Sequence, residues 1–129
     1  MAHFLDVLSD RVLLCDGGMG SRVQATELDV ERDYLGHENC TDILCESRPD
    51  LVRQIHIGYL EAGADMVETN SFGSSPLTLG EFGLQDKSYE LSRRAGELAR
   101  EAVESFADGR ERFVLGSVGP GTQIGRAHV

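Results

Sequence analysis

Three short apolar runs, each closed by glycines and polar residues, constrain what this chain can become. The first is Val12-Leu13-Leu14-Cys15, followed by Asp16-Gly17-Gly18-Met19-Gly20. The second is Asp65-Met66-Val67-Glu68-Thr69-Asn70, followed by Ser71-Phe72-Gly73. The third is Phe113-Val114-Leu115, which runs into Gly116-Ser117-Val118-Gly119-Pro120-Gly121. A short continuous apolar run bounded by turn residues reads as a strand buried on both faces, the kind found in parallel sheets. Strands are therefore expected at 12–15, at 65–70 and from 113 into the glycine-rich end.

Between these runs the periodicity changes. Pro49 suits a first helical turn because its missing N–H would have no partner there, and Asp50 favours the positive end of the helix dipole. Leu51, Val52, Ile55, Tyr59 and Leu60 then recur at helical spacing until Gly63, which predicts a helix over 49–62. A second stripe of Tyr89, Leu91, Ala95, Leu98, Ala102, Val103 and Phe106 predicts another, with Arg93, Arg94, Glu97, Arg100, Glu101 and Glu104 on the opposite, solvated face. Phe4, Leu5, Val7 and Leu8 form a short amphipathic turn ahead of the first strand, whereas 17–47 is polar and lacks a sustained period. A short ordered turn is expected there at Ile43, Leu44 and Cys45. The order β-α-β-α-β predicts an α/β fold of about three parallel strands with two crossover helices. Ligands of such folds bind at the C-terminal ends of the strands, where the unusual residues of this chain sit.

Several function classes are excluded at this level. The 129 residues carry 12 Lys and Arg against 22 Asp and Glu, a net charge of −10, which opposes nucleic-acid binding because that draws on clustered cations. No window approaches the ~20 apolar residues of a membrane span, and the first residues do not read as a secretory signal, so a cytoplasmic protein is expected. Cys15, Cys40 and Cys45 make an odd count that suits free thiols in a reducing compartment. The Asp16-Gly17-Gly18-Met19-Gly20 turn lacks the glycine spacing of a dinucleotide fingerprint. A zinc site from His37, Cys40, Cys45 and His56 is disfavoured, since the cysteines lack the usual close pairing and His56 falls near the core face of its helix.

At the strand ends, glycines allow backbone N–H groups to approach a ligand, and Asp16 and Glu68 offer carboxylates to an ammonium group. This combination suits a small zwitterion such as an amino acid. The competing reading is that the glycines only make tight turns and that Asp16 caps local N–H groups.

The segments Leu14-Cys15-Asp16-Gly17-Gly18-Met19-Gly20, Glu38-Asn39-Cys40-Thr41-Asp42, Arg48-Pro49-Asp50-Leu51-Val52, and His56 with the run from Tyr59 through Glu68-Thr69-Asn70 to Gly73 carry a more specific signal. Together they resemble the start of a homocysteine S-methyltransferase domain, closest to the N-terminal homocysteine module of cobalamin-dependent methionine synthases, over about residues 4–122. The resemblance implies the N-terminal part of a (β/α)8 TIM barrel that binds homocysteine. It implies that Asp16, the Gly17 amide, Thr69 and Asn70 help hold the amino and carboxylate ends of that substrate. Glu68 is a further substrate-binding candidate, although strand alternation can also turn it into barrel packing. In such a parent, a methyl group passes from 5-methyltetrahydrofolate through cobalamin, held in another module, to the zinc-bound homocysteine thiolate. Betaine- and S-methylmethionine-dependent relatives share the same turns, and a non-catalytic amino-acid-binding module is a further alternative.

The family's zinc is held by three cysteine thiolates from later strands, and none of Cys15, Cys40 or Cys45 matches them. No metal ligand and no catalytic residue is therefore expected in this chain. A barrel takes about 250 residues, so 1–123 is expected to be a truncated homocysteine-binding domain that lacks activity. Ile124-Gly125-Arg126-Ala127-His128-Val129 is what ATC GGA AGA GCA CAC GTC encodes, a reading frame of a common sequencing-library adapter, and is expected to be a non-native tail. With neighbours missing on both sides, 12–15 and 114–117 become edge strands, and the chain alone is expected to aggregate or remain partly molten.

Overall fold

The computed structural model describes residues 3–106 and 108–123. It is an α/β arrangement in which a small parallel sheet carries helices α1 (Phe4–Asp10), α2 (Met19–Gln24), α3 (Leu44–Ser47), α4 (Pro49–Glu61), α5 (Pro76–Gly80) and α6 (Ser88–Ser105) around strands β1 (Met66–Glu68) and β2 (Phe113–Leu115). β1 and β2 pair in parallel with Met66 opposite Phe113, Val67 opposite Val114 and Glu68 opposite Leu115. The connection between them runs through α5 and α6, the crossover that parallel pairing requires.

The first expected strand is reduced to one parallel bridge, Cys15 to Met66, on the other side of β1. The segment still runs beside β1: Leu14 O accepts from the amides of Asp65 and Met66, and the Asp16 amide donates to Met66 O at 3.0 Å. A longer ladder fails for a local reason. The Leu14 amide, 2.9 Å from Asp65 Oδ2, donates to that carboxylate instead of to a strand. Val12 and Leu14 are then exposed rather than buried on both faces. The third expected strand also ends early, at Leu115, because the amides beyond it bond to a side chain and a loop. Ser117 N donates to Thr69 Oγ1 and Gly119 N to Phe72 O.

The two expected crossover helices appear as α4 and α6, close to the expected bounds. α4 opens at Pro49 and stops where Gly63 turns to φ +106°. There the Gly63 amide bonds Leu60 O and the Ala64 amide bonds Tyr59 O, both at 3.0 Å, which satisfies carbonyls the helix leaves open. Leu60, Val67, Ala99 and Ala102 seal helices against sheet, and Val52 and Ile55 of α4 meet Ala95 and Leu98 of α6 in an adjoining cluster. On the remaining face, the Phe4 ring of α1 meets Phe113 edge-on at 5.2 Å. Among the described residues no helix is long and apolar enough to cross a membrane.

The aperiodic stretch at 17–47 is more ordered than its sequence implies. It holds α2, a 3₁₀ turn at Thr41–Ile43 and α3. Its centre is Asp33, almost fully buried, which accepts from the Asp29 amide and from Arg32 and Arg48. These partners hold the Asp33 carboxyl well below the usual carboxylate range, Arg32 most of all. The 124–129 tail lies outside the described residues.

Candidate functional site: an acidic pocket at the strand ends

The Cys15 bridge and β1 run in the same direction, so their C-terminal ends open on the same side of the sheet. All five residues expected to bind substrate line a single cavity of about 670 Å³ there: Asp16, Gly17, Glu68, Thr69 and Asn70. The two stretches farthest apart in sequence are tied directly, since the Glu68 amide donates to Asp16 Oδ2 at 3.0 Å. The Glu68 side chain is exposed on the pocket side rather than packed away. Its carboxylate, that of Asp16 and the Cys15 thiol lie within 4.8 Å of one another.

Asp16 is partly shielded from water beside a second acid. Burial pushes the Asp16 carboxyl upward, and the charge of Glu68 adds to that while the Glu68 amide opposes it. The Cys15 thiol is pushed up to about 11, first by burial and then by the negative charge of Asp16 and Glu68. Such a corner favours a cation: an ammonium group relieves the repulsion and finds acceptors on both carboxylates.

The other predicted residues contribute differently. Gly17 passes so close to α4 that an added Cβ would lie 3.0 Å from the Tyr59 hydroxyl, which itself donates to Gly18 O at 2.8 Å. Thr69 and Asn70 are buried and their side chains are engaged within the protein. Thr69 Oγ1 accepts from Ser117 N at 2.9 Å, and Asn70 Nδ2 donates to Thr41 O at 3.0 Å. They build the wall through which the β1 end meets β2 on one side and the 3₁₀ turn on the other. Asp42, the end of the Glu38–Asp42 segment that carries the resemblance, lines the same cavity although it is not among the expected binding residues. The resemblance assigns it no role, and it stands just ahead of Ile43-Leu44-Cys45 in an aperiodic stretch. Burial pushes its carboxyl upward as well.

A zinc centre of three thiolates does not fit these residues. Cys40 and Cys45 are buried, and Cys45, pushed up to about 12 mainly by burial, spends its thiol on Asn70 O. Among the described residues the sole grouping of metal-type ligands is Cys15, Asp16 and Glu68, which holds a single thiol.

The profile of the homocysteine S-methyltransferase family matches residues 13–127. The chain belongs to the homocysteine S-methyltransferase family. It is 46% identical over 121 residues to methionine synthase of Mycobacterium tuberculosis (strain ATCC 25618 / H37Rv), and 44% identical over the same length to methionine synthase of Mycobacterium leprae (strain TN). Each alignment covers 93% of this chain but 10% of the relative, so the chain spans about a tenth of these curated proteins. Among solved structures it is similar to the metallated form of the homocysteine methyltransferase MmuM from Escherichia coli, with a TM-score of 0.73 and 26% identity. That superposition covers 95% of this chain and 42% of the other. The oxidized form of MmuM gives the same TM-score at 29% identity.

Proposed function

We propose that this chain supplies the amino-acid-gripping part of a homocysteine methyltransferase domain, and that the protein it represents is a methionine synthase. In this reading, the three adjoining parallel segments are the first strands of a (β/α)8 barrel, and the pocket lies at its catalytic mouth. Asp16 and Glu68 receive the ammonium group of homocysteine. The Gly17 amide faces its carboxylate, and Thr69 and Asn70 hold the rim in shape. The whole protein forms methionine by methyl transfer to the homocysteine sulfur, with folate and cobalamin carried by other modules. Sulfur activation by zinc belongs to residues other than these, and this chain alone is expected to bind without turnover. Three unpaired cysteines suit a cytoplasmic setting.

The observation that carries the reading is the convergence of Asp16 and Glu68 on one corner of a cavity that the Gly17–Gly20 turn also lines. Titration calorimetry with L-homocysteine tests it. Binding is expected, with a loss of about tenfold or more on Asp16→Asn, the scale of one charge-assisted contact. The des-amino analogue of homocysteine is expected to bind much more weakly. Equal binding of that analogue, or no binding of homocysteine, overturns the assignment.

A further inference from the structure

Of the acids lining the cavity, Asp16, Asp42, Glu68 and Glu81, Asp42 is the buried one, and gripping an ammonium group leaves it without a task. It stands on the 3₁₀ turn Thr41–Ile43 and faces the end of β1. Its Oδ1 accepts from the Ser74 hydroxyl at 2.8 Å, and the Gly73 backbone packs against the same carboxyl. A Cβ on Gly73 would lie 2.6 Å from Asp42 Oδ2, so the carboxylate fills the space that any side chain at position 73 would need. The adjacent Thr41 carbonyl receives the Asn70 amide. Residues 70 and 74 are therefore hydrogen bonded, and Gly73 is packed, by two consecutive residues of a distant loop. On the opposite flank, the same segment is held by Ser117, which donates to Thr69 and accepts from the Ser71 hydroxyl.

We propose that Asp42 is a positioning residue for the amino-acid pocket, fixing the 69–74 segment through Ser74 and Gly73 so that Glu68 stays opposite Asp16. The binding readout rests on the homocysteine assignment above; the structural readout does not. A hydroxyl donating to one buried carboxylate, with a glycine backbone packed against it, gives a short, directional hold that apolar packing cannot supply. Because the glycine and the acid occupy each other's space, their substitutions are coupled.

The test uses the full 129-residue chain at low micromolar concentration, with Asp42→Ala, Asp42→Asn, Gly73→Ala and the Asp42→Ala/Gly73→Ala pair. L-homocysteine affinity is measured by calorimetry, and the amide resonances of Glu68, Thr69 and Ser117 are recorded without ligand. Asp42→Ala is expected to weaken binding about tenfold and to shift those resonances. Asp42→Asn restores affinity to within about threefold, since its carboxamide keeps an acceptor and lets the Ser74 hydroxyl turn. Gly73→Ala matches Asp42→Ala, and the double variant is no worse than Asp42→Ala, because the carboxylate that the new methyl group strikes is gone. Additive losses, an Asn variant as impaired as the Ala variant, or unmoved resonances in Asp42→Ala overturn the proposal. If Asp42→Ala does not fold, Asp42→Asn and Gly73→Ala decide alone: retained affinity in the first with loss in the second supports it, and any other pair of results refutes it. Wild-type chain that ignores homocysteine, while the resonances follow the cycle, removes the functional assignment and leaves the role of Asp42 standing.

Discussion

His56 faces inward from α4, fully buried, with neither ring nitrogen hydrogen bonded among the described residues. Burial pushes it down to about 4, so the native state keeps it neutral. Below its ordinary value of about 6.5, the unfolded chain takes up a proton that the native chain refuses, and stability falls with pH until about 4, by on the order of 3 kcal/mol across that interval. Denaturant midpoints measured against pH are expected to show this decline and to lose it in His56→Leu. That variant should be no less stable at neutral pH, because it gives up no hydrogen bond. Asp16 adds a second pH effect, in binding. Since its carboxyl is raised by burial, homocysteine affinity should begin to fall on acidification at a higher pH than an ordinary carboxylate dictates, and Asp16→Asn should flatten that limb. Calorimetry across the acid range checks both arms. Asp16 and Glu68 were legible in the sequence because each closes an apolar run, and strand ends are where ligands meet such folds. Asp42 was not, since its partners Gly73 and Ser74 lie far along the chain and nothing periodic marks either end of the contact.

At the scale of elements, α4 and α6 were readable because their stripes extend over several turns and have clear starts and stops. Gly63→Ala tests one stop: with φ at +106°, a side chain is strained, and a loss of about 1 kcal/mol is expected from thermal or denaturant unfolding. Leu98, fully buried between α6 and α4, tests the joint between the stripes; Leu98→Ala should cost about 3 kcal/mol by the same measurement. The short elements were hidden for physical reasons. α2 is built from Met19-Gly20-Ser21-Arg22-Val23-Gln24, in which glycine and serine are poor helix formers and Val23 is the buried residue, so its stability comes from tertiary contact. The strand expected at 12–15 looked complete by hydropathy alone, yet Asp65, which takes the Leu14 amide, is visible only in three dimensions.

For the molecule as a whole, the sheet is open on both sides. Val12 is 82% exposed beside the Cys15 bridge, and Val118 is 90% exposed beyond β2. Apolar side chains next to unpaired strand edges invite pairing with other chains. Sedimentation velocity is expected to show concentration-dependent self-association of the 129-residue chain, reduced by Val12→Lys, which places a charge on one edge. A single sharp monomeric boundary at all concentrations would contradict this.

The tie between the Asp16 carboxylate and the Glu68 amide joins positions 52 residues apart, and Ser117 closes the far wall 48 residues beyond Thr69. The pocket exists only once the second crossover has returned to the sheet, so an amino acid bound there, as proposed, meets a surface that no shorter stretch of the chain provides. On the proposed reading, homocysteine then reports that these segments have come together. If it binds there, mass action draws the population toward the folded state, and the apparent melting temperature is expected to climb with its concentration.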